Sequence, residues 1–360
     1  MAAFIFIICF MVPFYLMLWI SANAKEEELP GNVIIPPVSL IIPFRNEEKY
    51  LPGLVECLRN LILEVGDEVI LVNDQSEYLE LKHFENLPHS VRLIHIKKGI
   101  ISSKKHALTL AIRDAANDWI LTTDADCIYS KNWLKSKKKG IRSHNCDMIV
   151  SPLSSIPLEN GFFSLVSNVE LLVLQTITRA AVINKSGFLA NGANLMFRKS
   201  VWEKVGAYTS HEHLASGDDV LLLSSFKSHG YSVVYDHGAE NTVLTYLNND
   251  MQDWFNQRIR WISKRQNIHS WKEILISSLF LIWMFNFIPG LLQFGLLYTL
   301  VIIPELLLLK LYSPIHVNFK SAAFWPIFRL VYPFLVIVIV ILSITKKNPT
   351  WKGRPLRTSH

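Results

Sequence analysis

Several groups of residues in this 360-residue chain have the types and spacing to do chemistry. Asp124-Ala125-Asp126 sets two carboxylates two residues apart, just after an apolar run. An all-oxygen donor set of that kind suits Mg2+ or Mn2+, and a cation held there would neutralise a diphosphate. Ser216-Gly217-Asp218-Asp219 puts paired acids before the apolar run Val220 to Leu223, which reads as a helix with both acids in its first turn. Capping would need only one of them. Asp74 ends a third acidic site after EVILVN, and Arg45-Asn46-Glu47 follows VSLIIPF. Gln257-Arg258-Ile259-Arg260-Trp261 lies in a segment where Trp254, Arg258, Trp261 and Ile262 share one helical face, as expected of an amphipathic helix beside a membrane.

The elements that must position these residues alternate in type. Short β-rich runs (VSLIIPF, EVILVND, VRLIHI, WILTTDAD, DMIVSP) are separated by helical stretches such as 47–63 and 104–116. Continuous apolar runs suit strands buried on both faces, and intervening helices suit parallel connections. This predicts an α/β nucleotide-binding domain, in which ligands lie beyond the carboxyl ends of the strands. The acids named above follow those runs. No internal repeat or glycine-rich phosphate loop is present in the sequence.

Composition bounds the rest. Half of the residues are apolar and 18% are charged, which excludes a disordered chain. Ala2 to Ile20 carries no charge, Ile274 to Leu309 only Glu305, and Ala322 to Ile344 only Arg329. Each is long enough for a hydrocarbon core of about 30 Å. Ala22-Asn23-Ala24 resembles a signal-peptide cleavage site, but no basic residue precedes the apolar run and the run is too long for a signal core, so an uncleaved anchor is expected. A cytoplasmic domain and a basic cytoplasmic tail need an even number of crossings between them. With Pro289-Gly290 splitting the middle block, spans are expected at 291–309 and 322–344, with 274–288 interfacial, or else three spans in this C-terminal region. The net charge of +6 is placed mainly beside these segments, which fits the cytoplasmic flanks of membrane spans better than nucleic-acid binding. The run Lys131, Lys135, Lys137, Lys138, Lys139 and Arg142 reads as a solvated helix face, with attraction to anionic head groups as the alternative. The four cysteines show neither zinc spacing nor a disulfide framework, which suits a reducing compartment.

These motifs carry a resemblance. IIPFRNEE (41–48), VNDQS (72–76), KKHAL (104–108), TDADC (123–127), GDDV (217–220) and QRIRW (257–261), in that order, resemble the membrane-anchored family 2 glycosyltransferases with the GT-A fold. The resemblance implies a mostly parallel α/β sheet flanked by transmembrane helices. It implies that Asp74 contacts the donor nucleoside in a pocket shaped by Pro43 and Glu47, with Lys104 or its neighbour Lys105 beside the nucleotide. Asp124 and Asp126 match the metal-binding D-x-D, Asp126 as the direct ligand of Mg2+ or Mn2+. Asp219 matches the catalytic base, with Asp218 beside it, and Gln257, Arg260 and Trp261 match Q-x-x-R-W on the acceptor and diphosphate side. Asn191-Gly192-Ala193-Asn194 resembles the acceptor-facing loop, or is an ordinary glycine turn. His211, His213 and His237 are read as surface or satisfied histidines rather than ligands.

The domains expected are an N-terminal anchor over 1–24, a cytoplasmic catalytic domain over 25–268, a C-terminal membrane region over 269–345 and a basic tail over 346–360. The function expected is inverting transfer from a nucleotide sugar to a lipid-linked or other membrane-proximal glycan acceptor, in the inner (plasma) membrane. The bilayer is a partner and nucleic acid is not. A processive polysaccharide synthase would ask for more spans to line a channel. Nucleotidyl transfer would leave GDDV and QRIRW without a role, and a non-reacting nucleotide-binding scaffold would have lost a motif acid.

Overall fold

The computed structural model describes residues 35–78, 84–97, 104–143, 145–156, 161–206, 218–247, 250–265, 278, 282–295, 302–313, 315–345, 350–351 and 354–355. The chain divides into two compact units. The expected anchor over 1–24 and most of the tail lie outside the described residues.

The first unit comprises Lys25–Ile156 and Lys185–Tyr246, with Thr350–His360. Its strands are β1 (Val38–Phe44), β2 (Glu68–Asn73), β3 (Val91–His95), β4 (Trp119–Thr122), β5 (Cys127–Ile128), β6 (Met148–Val150), β7 (Leu153–Ser155), β8 (Leu195–Arg198), β9 (Val233–Tyr235) and β10 (Val243–Thr245). Seven form one sheet in the order β3-β2-β1-β4-β8-β6-β9, in which β8 alone runs against its neighbours. β5, β10 and β7 form a second, smaller sheet. The mixed, mostly parallel α/β architecture is the one the strand and helix pattern predicts.

All seven residues of β1 are buried, as a strand covered on both faces requires. Leu51–Asn60, which follows it, starts with Pro52 in its first turn, where a missing N–H costs nothing, and buries Leu51, Leu54, Val55 and Leu58 along one stripe. Register aligns the strand ends: Phe44 sits opposite Asn73 and Ile41 opposite Thr122. The segments that leave β1, β2 and β4 therefore emerge on one edge of the sheet.

The helix Trp133–Ser143 corrects the reading of the basic run. Trp133, Leu134, Lys137, Lys138 and Ile141 form its buried face, while Lys131, Lys135, Lys139 and Arg142 are exposed. Lys138 is held by Glu64 (2.6 Å) and Asp67 (3.1 Å). Lys137 is fully buried, and burial pushes its amine down to about 7 against the opposing pull of Asp236. Gly140 lets Asp236 approach this helix, since a Cβ there would come within 2.5 Å of Oδ2.

The second unit comprises Met1–Ala24, Pro157–Asn184 and Leu247–Pro349. Its described helices are Phe162–Ile183, Met251–Arg265, Phe287–Phe294, Ile302–Tyr312 and Phe319–Thr345. Two are long and apolar enough to cross a membrane. In Phe162–Ile183, 72% of the apolar window is buried within the protein, so it behaves as a core helix; in Phe319–Ile344 the share is 28%. The helix expected over 291–309 is interrupted. Pro289 and Gly290, expected to split the segment, lie in the first turn of Phe287–Phe294, where proline is tolerated. The break comes at Gly295, with φ of 59°. The helix Ile302–Tyr312 follows, beyond residues that lie outside those described.

The lone charges of the two apolar blocks meet here. Arg329 Nη2 lies 3.5 Å from Glu305 Oε1, both side chains being 1% exposed. Arg329 also donates to the Trp283 carbonyl (3.1 Å), and Trp325 Nε1 donates to Glu305 Oε2 (2.7 Å). The Arg329 guanidinium lies 4.0 Å from the Trp283 ring centroid. Charges inside an apolar bundle survive only when so paired.

Candidate active site

Two loops meet at the ends of β1 and β2. The Asp74 N–H donates to the Phe44 carbonyl (2.8 Å), and Arg45 Nη1 donates to the carbonyls of Asp74 (2.9 Å) and Gln75 (3.1 Å). The Asn46 N–H donates to Ser76 Oγ (3.0 Å), and the Glu77 N–H donates to Asn46 Oδ1 (3.0 Å). Asn46 and Gln75 both hold positive φ, at 49° and 57°. These bonds offset the strain that positive φ costs a non-glycine residue. Asp74 itself is 1% exposed. Pro43 is buried in β1 opposite Val72, and the Glu47 carbonyl accepts the N–H groups of Tyr50 and Leu51, starting the helix Leu51–Asn60.

The third strand end carries the D-x-D. The Thr123 N–H donates to the Ile41 carbonyl (3.2 Å), continuing the ladder one residue past β4, and Asp124-Ala125-Asp126 turns the chain into β5. Lys104, at the start of the helix Lys104–Asp114, is ion-paired with Asp124 Oδ1, whereas Lys105 is buried among the apolar residues of the same helix. Of the two lysines left open by the sequence, Lys104 is the one that reaches this carboxylate. Burial, followed by the charges of Asp126 and Asp124, pushes the Cys127 thiol well up, and burial carries Cys146 up to about 12. Neither is a thiolate nucleophile at neutral pH.

Asp219 arrives from a distant part of the chain. It begins the helix Asp218–Ser228, and its Oδ2 accepts the Gly192 N–H at 3.1 Å. The Gly192 carbonyl accepts the Thr122 hydroxyl at 2.7 Å, so one residue joins the acid of GDDV to the strand that carries the D-x-D. The 191–194 loop is a fixed turn: Asn191 Oδ1 accepts the Ala193 N–H (3.0 Å), and fully buried Asn194 donates to the carbonyls of Pro152 and Asn241, each at 2.7 Å. The sequence marks the 191–194 loop as acceptor-facing or an ordinary turn but gives no sign of Thr122, since an isolated threonine carries no chemical signal of its own. The Asp218 side chain and residues 211–217, including His211 and His213, lie outside the described residues.

Gln257, Arg258, Arg260 and Trp261 belong to the helix Met251–Arg265 in the second unit. Gln257 and Arg260 are half-buried and Trp261 is 37% exposed. Arg258 is buried, where Glu170 of Phe162–Ile183 neutralises it.

Among the described residues no three His, Cys, Asp or Glu side chains converge on a metal position. Two acidic oxygen donors on one turn nonetheless fit Mg2+ or Mn2+, which characteristically keep waters and take phosphate oxygens beside one or two carboxylates.

The family described as glycosyl transferase family 2 matches residues 39–206. That stretch thus resembles a family 2 glycosyltransferase domain. No curated protein matches the chain significantly. The glycosyltransferase resembles a mannosyltransferase from Pyrobaculum calidifontis, solved with GDP-Man and Mn2+, with a TM-score of 0.58 at 15% identity over 96% of this chain and 98% of that one. At that identity the likeness establishes the GT-A fold. Weaker likenesses are to TarS of S. aureus (TM-score 0.46, 13% identity, 88% of this chain and 56% of that one) and to glucosyl-3-phosphoglycerate synthase of Mycobacterium tuberculosis (TM-score 0.41, 13% identity, 63% and 80%).

Proposed function

We propose that this glycosyltransferase transfers a sugar, with inversion, from a nucleotide sugar to a hydroxyl of a lipid-linked or other membrane-proximal acceptor. The observation that carries the reading is the Thr122–Gly192–Asp219 chain of hydrogen bonds, which couples the candidate base to the strand carrying Asp124 and Asp126. In this reading the acceptor oxygen attacks the anomeric carbon, its proton passes to Asp219, and the bond to the diphosphate breaks on the opposite face. General-base assistance of this kind is worth about 10² to 10⁴ in rate. Asp74, Pro43 and Glu47 line the nucleoside side. Asp126, with Asp124, would hold Mg2+ or Mn2+, which when bound offsets the charge growing on the leaving diphosphate. Lys104 adds a positive charge next to Asp124. Gln257, Arg260 and Trp261 serve the acceptor and diphosphate side, Trp261 through its aromatic face.

A membrane setting is supported by the helix Phe319–Thr345, which exposes Ile327, Phe334, Ile337, Val338, Ile341 and Ile344 while burying Arg329 against Glu305. Water would oppose that arrangement and hydrocarbon would favour it. The orientation proposed keeps the catalytic domain in the cytoplasm of an inner (plasma) membrane protein with more than one span.

The test is to incubate membranes containing the protein with a panel of radiolabelled nucleotide sugars and separate lipid-extractable from polymeric product. Label in the lipid fraction from the wild type and not from Asp219→Asn is expected. Equal turnover by the two proteins would remove the assigned base, and label only in polymer would favour a processive synthase.

A further inference from the structure

We propose that Arg258, the second residue of QRIRW, is a positioning residue that holds Gln257 and Trp261 in their working geometry. The proposal rests on the reading that those two side chains serve the acceptor and diphosphate.

An arginine followed two residues later by another looks interchangeable with it in the sequence, but the surroundings of Arg258 set it apart. It is 6% exposed, and its charge is directed inward. Nε donates to Glu170 Oε2 at 2.9 Å and Nη2 donates to the same oxygen. Glu170 Oε1 accepts the Tyr332 hydroxyl at 2.8 Å, so both oxygens of that carboxylate are engaged, by Met251–Arg265 on one side and Phe319–Thr345 on the other. The remaining arm, Nη1, donates to Gln257 Oε1. The guanidinium plane also stacks between two indoles, 4.6 Å from Trp254 and 4.9 Å from Trp261. Trp254 is fully buried and Trp261 is exposed, so the stack ties an outward aromatic face to an immobile inner one.

Arg258 thus contacts two of the three motif side chains while its own charge is spent on Glu170. Lysine would supply the charge without the planar fork or the stacking surface. Removing Arg258 alone would strand a buried carboxylate and threaten folding, whereas replacing both partners with apolar side chains of similar size is commonly tolerated.

The test therefore uses the full chain in detergent micelles, comparing wild type, Arg258→Lys, and the double variant Arg258→Met with Glu170→Met. The double variant is expected to unfold at a temperature close to wild type and to lose at least about 30-fold in kcat, with donor KM nearly unchanged, because misplacing a substrate-facing group by about 1 Å costs rate before binding. Adding Gln257→Leu to the double variant should cost little more, although Gln257→Leu alone is costly. Acrylamide quenching of Trp261, taken as the difference between each protein and its Trp261→Phe partner, should rise in the double variant. Wild-type kcat, full additivity with Gln257→Leu, or unchanged quenching would each overturn the proposal. The quenching arm reads the same whether or not any nucleotide sugar is turned over, so failure of the transferase reading is seen separately, in the wild-type panel.

Discussion

The Asp219 carboxylate and the Gly192 backbone are joined by one hydrogen bond of 3.1 Å, across 27 residues of chain. A backbone donor cannot swing away as a side chain can, and Oδ1 accepts the Val220 N–H at 2.8 Å, so both carboxylate oxygens are held by backbone donors. Thr122 anchors the other side of Gly192. Asp219→Asn preserves shape but, with one acceptor oxygen in place of two, keeps only one of the bonds from Gly192 and Val220, and it cannot take a proton. It is expected to lower transfer by about 10² to 10⁴ with donor binding retained, measured by turnover beside equilibrium titration with the nucleoside diphosphate.

The backbone donor can be tested at Gly192 itself. A Cβ there would lie 3.7 Å from Asp219 Cβ, an ordinary contact, so Gly192→Ala is expected to remain active. Gly192→Pro deletes the N–H and should cost roughly 10-fold to 100-fold in kcat, the usual worth of a hydrogen bond to a charged group. Equal activity of the two variants would show that the bond does not matter.

Asp126→Ala should weaken donor binding in the presence of Mg2+ or Mn2+ and leave metal-free binding of the nucleoside unchanged. Excess EDTA should stop turnover, with recovery on adding back the cation. Full activity in EDTA would count against the metal assignment.

Lys137 makes a prediction about pH. Its folded pKa of about 7 lies below the 10.5 of an ordinary lysine, so the folded state binds fewer protons than the unfolded state between those values, and stability from this group rises with pH across that window. Below pH 7 both states are protonated, and the folded state carries the full burial penalty of a few kcal/mol. Lys137→Met should therefore raise the unfolding temperature more at pH 6.5 than at pH 9.5. An equal shift at both values would mean that the amine is not buried in its neutral form.

For the apolar helices of the second unit, Arg329→Met alone should destabilise by roughly 3 to 5 kcal/mol because it strands Glu305, while Arg329→Met combined with Glu305→Leu should recover most of the loss. Thermal unfolding in micelles separates the two.

The strands and their shared edge were legible because continuous apolar runs such as Ser39 to Phe44 have one stable placement, between two helical layers. The D-x-D and GDDV acids were legible as types in a pattern. What could not be read was which backbone group meets them: Gly192 is an unremarkable letter until the turn closes. Glu170 was invisible because its partner lies 88 residues away, inside what reads as a plain apolar helix. Lys137 and Lys138 were misread as surface because lysine usually is; four-residue helical spacing brought them round to the side of Trp133 and Leu134. Glu305 and Arg329 stood out as solitary charges, but nothing in a linear pattern pairs them.

That pairing has an electrical consequence. A membrane potential pulls on net charge, at about 2.3 kcal/mol per elementary charge per 100 mV across the full bilayer. In the bilayer setting proposed above, the pulls on Glu305 and Arg329, which are in contact, would oppose each other and cancel. Helices carrying such a pair would lie in an energised bilayer without acting as a voltage sensor.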